Sequence, residues 1–304
     1  ATPLYPLLQA KLGITALDVT VAFSAYVLAL VATLILAGHW SDHIGRRAAL
    51  LLSVLVGLAG GFVFATADSL LALSAGRALQ GAAVALATGA SSAALRELLP
   101  SRPEWASRFT LLASAGGVAA GPAIGGVLSV LPGPTSTPYY LHSVVLIALL
   151  VPLYRLKARP AITSVAGPQP LKVLAPRRPS VSSEARGAFW LASAVGFLSF
   201  AVFGFCLSLA PGYFAQIVHA DSRPLIGLLA GLTLAASALS QLLAARGRFV
   251  VPVGLSLLAV SVLLIAAAAA WSSPGLLIAA SITAGLGQGV SFRTVFNDVA
   301  GKVE

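Results

Sequence analysis

The chain has 304 residues, of which 58% are hydrophobic and only 9% are charged. Soluble domains carry about 25% charged residues, so this composition cannot cover a water-facing surface and excludes an ordinary soluble domain. A net charge of +10 is typical of proteins that bind nucleic acid. Here the charges lie in short gaps between apolar runs and form no basic face, so we expect no nucleic-acid partner.

Nine apolar runs follow one another along the chain. A helix needs roughly 20 residues to cross the hydrocarbon core of a bilayer. In chain order the runs cover residues 17–37, 48–67, 71–95, 109–130, 139–154, 188–209, 224–245, 249–270 and 275–299. They predict an all-α, polytopic membrane protein with about nine transmembrane helices, whose main partner is the lipid bilayer.

The basic residues alternate between the gaps that separate these runs. Most of the 19 Lys and Arg lie in the first, third, fifth and seventh gaps, whereas the other gaps and the N-terminal stretch hold only Lys11 and Arg223. The positive-inside rule then predicts that residue 1 lies outside and residue 304 in the cytoplasm. The Ala-, Leu-, Gly- and Arg-rich composition is typical of a GC-rich bacterial genome, which favours the bacterial plasma membrane.

Only the gap at residues 155–187 is long. It is rich in Pro, Ser and basic residues, which is typical of a flexible linker. We therefore predict an N-terminal half at residues 1–154, a cytoplasmic linker at 155–187 and a C-terminal half at 188–304.

The first gap contains a recognisable loop. Residues 38–47 read Gly-His-Trp-Ser-Asp-His-Ile-Gly-Arg-Arg. This resembles the signature loop of the major facilitator superfamily of transporters, G-x-x-x-D-R/K-x-G-R-R/K, except that His43 replaces a basic residue. The resemblance implies a cytoplasmic gating loop whose matching positions are Gly38, Asp42, Gly45, Arg46 and Arg47.

The third run contains an arginine within its apolar sequence, in Arg77-Ala-Leu-Gln80-Gly81. A cation inside a membrane span is costly and is by default a functional hypothesis. The stretch resembles the R-x-x-Q-G motif on the fourth helix of the same superfamily, where the arginine faces the central cavity and is implicated in proton coupling. The alternative is an arginine that snorkels to the interface, but Gln80, one turn away on a similar face, favours the cavity.

The fourth run contains a glycine stripe. Gly117, Gly121 and Gly125 repeat at every fourth residue, and Pro122 predicts a kink. Such small-residue stripes let membrane helices pack backbone to backbone. With Gly126 the stretch resembles the motif G-x-x-x-G-P-x-x-G-G, typical of superfamily exporters that exchange substrate for protons, the drug:proton antiporter branch.

The sequence also repeats itself. Gln80-Gly81 and Gln288-Gly289 lie 208 residues apart, and the same offset places the first run on the seventh. This is the pattern of two pseudo-symmetric halves. The resemblance then assigns the nine runs to family helices two to ten. Helices one, eleven and twelve would be missing, so we expect that this stretch alone does not transport.

Polar side chains on the runs are the candidates for a path of protons or substrate. They are Tyr26, Arg77, Gln80, Gln288, Arg293 and Asn297. An apolar cavity with few polar anchors suits small amphiphilic molecules. The resemblance therefore implies proton-coupled efflux of such molecules by alternating access. Alternatives are a metabolite uptake transporter of the same superfamily and a truncated, non-transporting membrane protein.

Proton exchange requires an ionisable group, and the sequence does not identify the coupling acid. Asp18 and Asp298 lie only at the ends of their runs. We find no nucleotide-binding loop, metal-ligand cluster or nucleophile–base set in the sequence. We therefore expect no enzyme activity, cofactor, catalytic residue or metal site.

Overall fold

A computed structural model describes residues 2–157, 174–176, 183, 186–208, 223–243, 247 and 249–303. Within these ranges every regular element is a helix. A 3-10 turn at Thr2–Leu4 precedes the α-helices. They are α1 (Tyr5–Leu12), α2 (Ala16–Ala37), α3 (Trp40–Ile44), α4 (Arg46–Ala65), α5 (Leu70–Leu98), α6 (Pro103–Leu128), α7 (Thr137–Arg155), α8 (Arg186–Ser208), α9 (Arg223–Leu243), α10 (Val250–Trp271) and α11 (Pro274–Val303).

The nine long helices correspond to the nine predicted runs. Within the described ranges seven stretches are long and apolar enough to cross a membrane. They are Ala16–Ala37, Arg46–Ala65, Leu70–Leu98, Thr137–Arg155, Pro224–Gln241, Val250–Trp271 and Pro274–Val295. Shorter apolar stretches, Leu112–Leu128 and Arg186–Val202, lie in α6 and α8. The prediction of an all-α, polytopic membrane protein is confirmed.

Local sequence determines where several helices begin. Thr15 and Asp18 form a capping box at the start of α2, with Thr15 N donating to Asp18 Oδ2 at 2.8 Å. Ser69 caps α5 by accepting from the backbone N–H of Ala72. Gly45 turns the chain from α3 into α4 with φ +89°, a conformation that favours glycine. Asp18 is therefore occupied in a helix cap.

The chain divides into two compact units. The first comprises Leu8–Ala113 and Leu131–Pro179, and the second comprises Ala1–Leu7, Ser114–Val130 and Ser180–Glu304.

In the first unit α5 packs against α2 and α4, and α4 packs against α7. The approach of α4 and α5 is close, since a Cβ atom added at Gly76 would lie 2.8 Å from the backbone nitrogen of Phe64. The ring of Phe64 in turn meets that of Tyr139 on α7, with 4.5 Å between centroids. Small residues at helix crossings thus bring α4 and α5 together, as expected in a membrane bundle.

In the second unit α11 packs against α8, α9 and α10. Its buried apolar core draws on α9, α10 and α11, and consists of Ile226, Leu229, Ile265, Ala268, Leu277, Ala280 and Ala284. The 3-10 turn Thr2–Leu4 contacts α9, and Leu4 and Tyr5 are buried. The residues before the first predicted run therefore form part of this unit's packing.

The division into homologous halves at residues 1–154 and 188–304 stays a prediction. Most of the predicted linker, 155–187, lies outside the described residues.

Candidate functional site

Arg46 is the centre of the predicted gating loop. Its guanidinium is buried and donates from Nη1 to Asp42 on α3 and, at 2.7 Å, to Ser41 Oγ. From Nε it donates to Glu97 Oε1 near the end of α5, at 3.0 Å. Arg46 therefore binds Asp42 within the loop and ties the loop to α5 through Glu97. Both contacts are charge-assisted hydrogen bonds, which are stronger than neutral ones.

Sequence reasoning missed Ser41 and Glu97 as members of this cluster. Glu97 lies 51 residues beyond Arg46, and the sequence offers only a weak signal: an acidic residue near the end of a predicted helix. Of the two glycines in the loop, Gly38 ends α2 in a helical conformation and Gly45 has a positive φ.

Arg47 and Trp40 hold the same loop to other parts of the first unit. Arg47 donates to the backbone oxygen of Tyr154 at the end of α7, at 3.3 Å. Its guanidinium carbon lies 5.8 Å from the centroid of the Tyr154 ring. Trp40 Nε1 donates to the backbone oxygen of Leu174 at 3.0 Å. The loop at 38–47 is thus a junction of four chain segments.

Arg77 lies inside the first unit, about 10 Å along α5 from its start. It is only 9% exposed, so it does not snorkel to the interface. Nη1 donates to Gln80 Oε1 at 2.8 Å, and Gln80 reaches the Gly60 backbone oxygen of α4 at 3.5 Å. The guanidinium carbon lies 4.3 Å from the centre of the Tyr26 ring on α2. The structure therefore brings Tyr26, Arg77 and Gln80 together.

The Arg77 guanidinium is not fully satisfied by the described residues. Its Nε is buried without an acceptor there, and so is the hydroxyl of Ser74, one turn earlier on α5. The ion pairs found in the described ranges belong to Arg46 instead. Burying a cation without a counter-ion has a large cost in free energy. An anion or a proton exchanged near Arg77 would therefore change the electrostatic free energy of this unit strongly.

A polar network occupies the corresponding crossing in the second unit. Gln288 on α11 is 4% exposed and accepts a hydrogen bond from Ser237 of α9. Gln241 donates to the same hydroxyl at 3.2 Å, and Arg293 donates to the backbone oxygen of Gln241. The network contains Gln288 and Arg293, and their role in a path stays a prediction. Ser237 could not be singled out from the sequence, because serine is common in these helices.

The other predicted residue on α11 is Asn297, whose side chain lies outside what the structure describes. The predicted path residues thus fall into two groups, one in each unit. Their joint role in a single path stays a prediction.

The glycine motif of α6 contacts α9 through one of its faces. A Cβ atom at Gly227 of α9 would overlap the Pro122 backbone oxygen and lie 3.0 Å from Gly126 Cα. At Gly117 and Gly121 an added Cβ meets no described atom within 4 Å, and at Gly125 the nearest is Pro3 Cγ at 3.8 Å. Pro122 and Gly126 therefore form the close approach, and a packing role for the other three glycines stays a prediction.

The described residues contain no group of three or more His, Cys, Asp or Glu that could hold a metal ion. They form a helical membrane bundle with a charged loop at 38–47 and a polar centre between the helices of each unit. These features define a multi-pass membrane protein of the kind that carries small molecules.

The family model of the Major Facilitator Superfamily matches residues 1–303. The chain therefore belongs to the Major Facilitator Superfamily and is a secondary transporter. This family consists of transporters of small molecules rather than enzymes. A comparison with curated proteins finds no match.

Proposed function

We propose that this protein exports small amphiphilic molecules in exchange for protons, by alternating access across the bacterial plasma membrane. The observation that carries the proposal is Arg77, a buried cation held between Gln80 and the Tyr26 ring in the first unit. Burial without a counter-ion makes the charge of Arg77 unfavourable, so the arrival or loss of a nearby charge changes its free energy strongly. The exporter-like motif at residues 117–126 supports the direction of transport.

In this proposal the loop at 38–47 is the cytoplasmic gate. Arg46 holds it closed through Asp42 and Glu97, and opening would require these hydrogen bonds to be exchanged for water. The predicted path comprises Tyr26, Arg77, Gln80, Gln288, Arg293 and Asn297, and Gly117, Gly121, Pro122, Gly125 and Gly126 form the exporter motif.

The test is transport in liposomes that contain the protein as its complete open reading frame encodes it. An acidic lumen should drive uptake of an amphiphilic dye, because the dye enters as protons leave. We expect Arg77→Ala to abolish this uptake and Arg96→Ala, at an exposed position near the end of the same helix, to preserve it. Uptake driven instead by an acidic exterior would indicate the metabolite-uptake alternative, and normal activity of Arg77→Ala would refute the assigned role.

Orientation is tested separately with the single native cysteine removed by Cys206→Ser. In that background Ser101→Cys is predicted to face the cytoplasm and Asp68→Cys the exterior, and both positions are exposed. A membrane-impermeant maleimide added to intact cells should label only the second variant. Labelling of the first variant alone would invert the proposed topology.

A further inference from the structure

We propose that Arg77 is the binding site for the carboxylate of an amphiphilic substrate, with the rings of Phe23 and Tyr26 contacting the substrate's apolar body. This inference names the substrate class and rests on the proposed transport function. It starts from an imbalance of charge in the first unit.

Arg77 has no counter-ion among the described residues. All nine acidic residues of the sequence lie near the ends of the long helices or between them. Arg46 has two carboxylates, whereas Arg77, which is buried within α5, has none among the described residues. Because burying a lone cation carries a large desolvation penalty, an anion that reached Arg77 would be bound strongly.

The Arg77 guanidinium also has a buried donor without an acceptor in the described part of the chain. A guanidinium has five N–H donors in a planar fork that matches a carboxylate. In the described part of the chain, Arg77 donates through Nη1 to Gln80 Oε1, while Nε is buried without an acceptor. The hydroxyl of Ser74, one turn away on α5, is buried without a partner as well. Two unsatisfied donors on one face of α5 favour an oxygen anion as the ligand, and they disfavour a cation.

Two aromatic rings beside the Arg77 guanidinium limit the shape of the ligand. The guanidinium carbon lies 4.3 Å from the centroid of the Tyr26 ring and 5.9 Å from that of Phe23. Both aromatic side chains are half-buried on α2. Such rings favour contact with a flat apolar group, so a carboxylate attached to an aromatic or apolar body fits both the charge and the neighbours.

The experiment measures equilibrium binding of 2-naphthoate to the full-length protein in lipid nanodiscs, in the absence of any gradient. 2-Naphthamide is the matched probe, since it keeps the ring system and lacks the charge. We expect naphthoate to bind and Arg77→Gln to weaken its affinity about tenfold or more, as for a hydrogen bond to a charged group. The control Arg96→Gln should leave the affinity unchanged.

Two further variants separate charge from shape. Arg77→Lys should recover part of the naphthoate affinity, because it keeps the charge and loses the planar fork. Tyr26→Leu should weaken naphthoate and naphthamide alike, since it removes only the aromatic face.

The outcomes distinguish this inference from the proposed transport. If naphthoate binds no better than naphthamide, or binds equally to Arg77→Gln, the carboxylate site is refuted even if the liposomes export other amphiphiles. If binding depends on Arg77 as expected but no proton gradient drives uptake, the carboxylate site stands and the proposed proton coupling fails.

Discussion

The crossing of α2 with α5 in the first unit and that of α9 with α11 in the second are built alike, yet their arginines differ: Arg77 of the first is buried, whereas Arg293 of the second is half-buried. In both, a glycine follows a glutamine, and a Cβ atom there would overlap a backbone oxygen of the facing helix: Tyr26 for Gly81 and Ser237 for Gly289. Four residues before each glycine the two crossings differ. The first has Arg77, whereas the second has Gly285.

This difference separates what packs the helices from what acts on a ligand. A Cβ atom at Gly285 would overlap the Thr233 backbone oxygen, so the second crossing has no room for a side chain at that point. Its Ser237, Gln241 and Gln288 side chains are neutral and bonded to one another, and Arg293 donates to the backbone oxygen of Gln241. The first crossing holds a cation that is only partly satisfied by the described residues. A functional role therefore explains a buried arginine at this position better than a stabilising role does.

The largest expected effect is on the packing of the second crossing. Gly285→Leu should lower the free energy of unfolding by about 3 kcal/mol, because the added side chain must displace the α9 backbone. A titration with sodium dodecyl sulfate measures this change. The control is Gly196→Leu on α8, where an added Cβ meets no described atom within 4 Å. Equal stabilities for the two variants would contradict the close approach of α9 and α11.

The opposite sign is expected at the matching position of the first crossing. Arg77→Leu should leave the unfolding free energy unchanged or raise it by up to about 3 kcal/mol, because it removes a buried, partly unsatisfied charge. Transport in liposomes should be lost in the same variant. A large loss of stability in Arg77→Leu would show that the arginine is a structural residue, which would end the contrast between the two crossings.

The two glutamines provide a smaller and more direct comparison. Gln288→Leu should mainly lower the unfolding free energy, by about 1–2 kcal/mol, since Ser237 loses its acceptor, and it should reduce transport per folded molecule only partly. Gln80→Leu should instead reduce transport, because it removes the acceptor that orients Arg77. Unfolding free energy and transport should be measured for both variants. If Gln288→Leu and Gln80→Leu lose the same stability and the same transport activity, the two crossings are functionally equivalent.

The smallest effect is predicted for the exposed glycines of α6. Gly121→Ala should change the unfolding free energy by no more than about 1 kcal/mol, in the stabilising direction expected for alanine in a helix. Gly227→Ala should be clearly destabilising, because its Cβ would overlap the Pro122 backbone oxygen. If both variants lose stability equally, the observed face of α6 is not the one that packs against α9.

The sequence by itself determined the nine long helices, with bounds within several residues of those observed. The reason is physical: bilayer thickness fixes the length of an apolar run, and local chemistry such as the Thr15–Asp18 pair fixes where it begins. It also singled out Gly45, Arg77 and Gln80, because a glycine in a short loop and a cation and an amide within an apolar run differ from their surroundings; their functional roles stay predictions.

Only the tertiary structure decided which faces of those helices meet. It paired Arg46 with Glu97, 51 residues away, and joined Ser237 to Gln288. It also put Pro122 and Gly126, rather than Gly117 and Gly121, against α9. The rotation of each helix about its axis depends on all its neighbours together, so a period of 3.6 residues in apolar helices cannot determine it.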